Sequence, residues 1–115
     1  MCFDMNLFRN REIIFVNEES FGVTCTHWTR RGNRWSWSLR WENVLAIEAM
    51  QIEPASIGFV FVTLEERWRF LAEDMENWSA LKEAVRMRYP GFNWDNFELA
   101  KNYIDTRIPC WKRSS

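Results

Sequence analysis

From residue 35 to residue 41 a large apolar side chain falls on every second position, so that Trp35, Trp37, Leu39 and Trp41 alternate with Ser36, Ser38 and Arg40. A two-residue period puts each set on its own face of a β-strand and would scatter both around a helix axis, so this stretch predicts a strand with one aromatic face. Upstream, residues 12–16 are rich in strand formers and run into a polar turn at 17–20. Residues 21–28 then alternate, with Phe21, Val23 and Cys25 opposed to Thr24 and Thr26, and turn at 31–33. These two runs predict an antiparallel pair. Residues 44–50 resume an apolar pattern in which β-branched Val44 and Ile47 favour strand over helix. After Pro54, residues 57–64 are apolar on both faces, the mark of a central strand. Glu65 and Glu66 supply a short turn, and residues 67–72 should return beside that strand with Trp68 and Phe70 inward and Arg67 and Arg69 outward.

The period changes at Asp74. Met75, Trp78, Leu81, Lys82, Val85 and Tyr89 fall on one side of an α-helix, with Asp74 as its expected N-cap and Arg86 and Arg88 at the favourable end of its dipole. Pro90 and Gly91 end it. A second, short helix is expected after Asn93, with Phe97, Ala100 and Ile104 as its apolar stripe and a stop before Pro109. Six strands followed by an amphipathic helix imply an α+β fold, in which a strongly bent antiparallel sheet or partial barrel is capped by the helix. In this reading the indoles at 35, 37 and 41 pack beneath the helix.

The chain has 115 residues, with 47% hydrophobic and 27% charged, values at which one folded domain spanning residues 1–115 is expected, frayed over the first ten and last three positions. Neither repeats nor linkers interrupt it. A formal net charge of −1 argues against nucleic-acid binding, and the longest apolar run is too short to span a bilayer. No signal-type N-terminus is evident, so a cytoplasmic location is expected. Cys2, Cys25 and Cys110 are odd in number and far apart, which argues against a disulfide framework and a zinc site; reduced thiols and no metal or cofactor follow.

Several segments resemble the pleckstrin-homology-like (PH-like) superfold. Residues 35–47 look like the third and fourth strands of its bacterial members, and the strand order with a closing helix is similar. More narrowly, Gly22-Val23, Trp41-Glu42-Asn43-Val44, residues 59–64, Pro90-Gly91-Phe92-Asn93 and the terminal Trp111 are similar to a group of mostly uncharacterised small bacterial proteins. What the resemblance implies is a PH-like fold and, for some such cytoplasmic proteins, a role as immunity partner of a secreted toxin. No binding residue transfers with it.

Candidate chemistry is sparse. His27 is the only histidine, and beside Cys25 it lacks a third group to orient a nucleophilic pair. The acidic pairs Glu18-Glu19, Glu65-Glu66 and Glu73-Asp74 suit turns and caps, and neither a calcium loop nor a phosphate cradle is present. A non-enzymatic protein is expected. Eight Trp are a surplus, and Trp with Arg is the pairing enriched at binding hot spots. The expected binding residues are Trp28, Arg30, Arg31, Arg34, Trp68, Trp94 and Trp111, and the expected partner is another protein, with a cognate toxin as the sharper form. Two alternatives stand beside this reading. One is a phosphoinositide or membrane-surface adaptor using Arg30, Arg31 and Arg34, since hairpin loops of that kind bind headgroups in some PH-like proteins; the lack of a positive net charge weighs against it. The other is a structural role. An uncovered first or sixth strand would also allow a homodimer.

Overall fold

Strand-forming runs pair with their sequence neighbours into two antiparallel sheets, in a computed structural model that describes residues 11–26, 34–53, 56–64 and 67–114. The first sheet has the order β1-β2-β3, from Arg11–Val16 (β1), Ser20–Thr26 (β2) and Arg34–Arg40 (β3). The second contains Ala46–Gln51 (β4), Ile57–Val62 (β5), Trp68–Ala72 (β6) and Ile108–Lys112 (β7), ordered β6-β5-β4-β7. Two helices, Trp78–Arg88 (α1) and Trp94–Leu99 (α2), separate β6 from β7. The fold is therefore α+β as expected, but its strands number seven among the described residues and lie in two sheets that do not close.

The corner between the sheets is built by Trp41. It leaves β3 for a 3-10 turn, Trp41–Asn43, where its backbone N–H donates to Glu19 O (3.0 Å) and its indole N–H to Asn17 O (2.9 Å). Its ring stacks on Phe21 at 4.2 Å, and Phe21 in turn meets Phe61 at 4.5 Å, so the inner faces of β2 and β5 touch directly. One buried cluster takes Ile14, Phe21 and Val23 from the first sheet, Ile47, Phe59, Phe61 and Leu71 from the second, and Leu81, Val85 and Phe97 from the helices. Complete burial of each such aliphatic or aromatic side chain contributes about 1.5–3 kcal/mol before conformational entropy is counted.

Several expectations need correction. Helix α1 begins at Trp78, four residues after Asp74, and Asn77 precedes it in a left-handed conformation (φ 73°) without a side-chain cap. The preceding residues serve the sheet instead: Ile14 N–H donates to Glu76 O (3.0 Å) and the Asn77 side-chain amide donates to Ile14 O (2.9 Å), which covers the outer edge of β1. The bed of α1 is also different. It packs on β1 and, through Trp78, on Phe59, while Trp37 is half-buried with Arg69 lying 5.3 Å over its ring. Trp41 meets the end of the helix, with Arg88 4.7 Å over its ring and the C-cap residue Tyr89 at 6.2 Å; the side chain of Trp35 lies outside the described residues.

Trp68 and Phe70 do not point inward. Phe59 and Phe61 pair with Leu71 and Arg69, so those positions of β6 share the inner face, while Trp68 and Phe70 lie opposite Val62 and Val60 on the outer one. Leu71 is fully buried and Trp68 is 46% exposed. Strand β5 ends at Val62, and Leu64 is exposed. The apolar stripe of α2 stops at Ala100 because the helix tightens into a 3-10 turn, Ala100–Asn102, which leaves Ile104 exposed. Strand β7 was not expected because Pro109 interrupts it; an edge strand with a register shift opposite Ile47 and Glu48 tolerates the missing donor. Arg113 is not frayed. Its backbone N–H donates to Leu45 O (2.9 Å) and its guanidinium donates to Val44 O and Glu42 O (2.8 and 2.7 Å). The expectations for residues 1–10, the turns at 31–33 and 65–66, Cys2 and His27 fall outside the described residues.

Candidate functional site

The loop that joins the two helices is pinned at the start of α2. Asn93 N–H donates to Cys110 O (2.8 Å), the Asn93 side chain accepts from Asn96 N–H (3.0 Å) as the N-cap of α2, and the Asn96 amide donates to Pro109 O (2.8 Å). This ties the start of α2 to β7 and fixes where Trp94 projects. Between the helices lies a groove of about 610 Å³ whose apolar walls are Trp78 and Trp94. Each indole is half-buried and braced from below by phenyl rings. Trp78 stacks on Phe59 at 4.7 Å, and Trp94 packs on Phe92 at 4.3 Å and edge-on to Phe97 at 5.6 Å.

Charged side chains from both helices frame the indoles. Glu83 accepts hydrogen bonds from Arg86, which pull its carboxyl below the usual range and raise the guanidinium. Glu98 is paired with Lys101 at 2.8 Å. Lys82 differs, because its ammonium lies 5.8 Å over the Trp94 ring and 5.7 Å over Phe97 and has no carboxylate partner among the described residues. A second hollow of about 520 Å³ lies between α1 and the β1–β2 turn, walled by Val16, Ala84 and the exposed Met87. Its cation is already engaged: Arg88 donates to Glu18 O and to Asn17 O (3.4 Å) and lies 4.7 Å from the Trp41 ring.

The expected binding residues are scattered. Trp94 lines the groove. Trp111 sits on β7, half-buried, 4.4 Å from the Tyr89 ring and under Arg113 at 5.9 Å. Trp68 occupies the outer face of β6, where Arg107 lies 5.4 Å over its ring and is also bonded to Glu48. Trp28, Arg30 and Arg31 lie outside the described residues, and Arg34 is described only as the first backbone position of β3. Trp78, Lys82 and Glu98 were not among the expected binding residues. Positions 78, 82 and 86 are spaced to share one helix face, and a lysine in an otherwise apolar stripe was the available signal.

Cys25 and Cys110 are buried, and burial raises both thiols, that of Cys110 to about 12. Among the described residues no group of three or more His, Cys, Asp or Glu side chains is placed to hold a metal ion. No described helix is long and apolar enough to cross a membrane. No protein family, curated protein or solved structure matches the chain.

Proposed function

We propose that this chain is a non-enzymatic protein-binding module that engages its partner through the groove between α1 and α2. The observation that carries the reading is the pair of braced indoles, Trp78 and Trp94, set in one groove and rimmed by charged side chains. Rigid aromatic anchors lose little freedom on binding, and a polar rim around an aromatic centre is the usual anatomy of a protein interface. The finer reading is a PH-like domain acting as an immunity protein for a cognate bacterial toxin. It is supported by the motif resemblance at 41–44 and 90–93 and by antiparallel strands followed by helices after the sixth strand.

Co-expression with the product of the neighbouring gene tests both levels. A complex on gel filtration that Trp94→Ala weakens, with relief of toxicity in cells, is the expected result. Absence of both complex and relief would overturn the immunity reading. A complex indifferent to Trp94→Ala, in a variant whose circular dichroism is unchanged, would move the interface elsewhere.

A further inference from the structure

The groove between the helices also specifies what it should hold, and this step rests on the protein-binding reading above. Three of the four ionic side chains on its walls are already neutralised locally: Glu83 and Arg86 by each other, and Glu98 by Lys101. Lys82 is the fourth. Its ammonium sits over the Trp94 and Phe97 rings at 5.8 and 5.7 Å, with no carboxylate within ion-pair distance among the described residues. A cation in this position keeps its attraction for an anion, and the adjoining indole surface lowers the effective dielectric around any anion that arrives.

We infer that the groove recognises a segment of a partner protein in which a carboxylate side chain stands next to a large apolar one, the carboxylate meeting Lys82 and the apolar group lying between Trp78 and Trp94. Complementarity of charge selects a carboxylate, and the apolar walls select its neighbour. An anionic membrane is the less suitable occupant, because surface attraction of that kind takes clusters of about four to eight basic residues, each contributing about 1 kcal/mol. Among the described residues this groove offers one unpaired cation, Lys82.

A random dodecapeptide library displayed on phage and selected against the intact chain gives the test, followed by calorimetric titration of synthetic consensus peptides. The selected sequences should be enriched in Asp or Glu adjoining Leu, Phe or Tyr. Lys82→Glu should weaken the consensus peptide about tenfold, which corresponds to about 1.4 kcal/mol, and replacing the peptide's acid by Lys should restore binding to that variant. Trp94→Ala should weaken it about thirtyfold or more, as loss of an anchor does. Lys82 is exposed, so its substitution leaves the fold intact even if Trp94→Ala does not. Peptides that depend on Trp94 but show no acidic preference, or bind Lys82→Glu unchanged, would overturn the charge assignment and leave the module reading standing. Failure to select any peptide dependent on Trp78 or Trp94 would overturn both. Vesicles of phosphatidylserine and phosphatidylcholine form the last arm: binding to them that Lys82→Glu abolishes, without peptide binding, would reassign the groove to a lipid surface.

Discussion

Tyr89 closes α1 from inside the core, with its hydroxyl donating to Trp41 O at 3.2 Å. Burial pushes this phenol up from its ordinary value of 10.0 to about 12, although Arg113 and Arg88 pull in the other direction. A pKa raised in the folded chain means that the native state retains a proton which the unfolded state releases. The contribution to stability is complete below about pH 10 and is lost as the pH climbs toward about 12. Cys110, raised by burial from 9.0 to about 12, adds a loss of the same sign over a window that opens one unit lower. Urea midpoints measured at about pH 9 and about pH 11.5 should therefore fall, and fall less in Tyr89→Phe. An equal fall in that variant would show that the phenol is not held neutral by the fold.

The apolar stripe of α1 and the outer face of β6 make contrasting claims. Leu81 is fully buried in the core cluster, whereas Trp68 is the larger side chain but stands half in solvent. Leu81→Ala should cost about 2–5 kcal/mol, since it removes buried methyl groups and leaves a cavity. Trp68→Ala should cost less than about 1.5 kcal/mol, chiefly through its contact with Arg107 and its cover over Val62. Chemical denaturation of the two variants decides the matter. The opposite ranking would mean that β6 presents its other face to the core. Periodicity alone could not rank them, because Trp68, Phe70 and Leu71 are all apolar and fall on both faces of a short edge strand.

One interior is shared by both sheets and both helices, although the two sheets are not hydrogen-bonded to each other among the described residues. Phe21 on Phe61, Trp78 on Phe59, Phe97 on Phe59 and Tyr89 on Trp111 connect both sheets and both helices through ring contacts. Such coupling predicts a single cooperative unfolding transition, with tryptophan fluorescence and far-ultraviolet circular dichroism giving coincident midpoints in urea. Separated midpoints would show that the β1–β3 sheet melts independently of the rest.

Much of the element list was legible because it depends on local period. Alternation at Phe21, Val23 and Cys25, the apolar run at 57–64 and the stripe through Leu81 and Val85 each report a face that must be buried, and the structure buries Phe21, Val23, Cys25, residues 57–61, Leu81 and Val85 but not Leu64. Strand β7 was hidden by Pro109, and the start of α1 by the use of Glu76 and Asn77 as cover for β1. Both depend on a partner distant in sequence. The groove belongs to the same category: Trp78 and Trp94 are identifiable as aromatic residues from the chain alone, but only the packing of both indoles on Phe59 and Phe97 brings them to one groove. Local pattern determined which faces turn inward, because hydrophobic period is a property of consecutive residues. Tertiary structure alone decided how the strands divide into two sheets and which charge stays unpaired, because both depend on contacts between segments that no local period encodes.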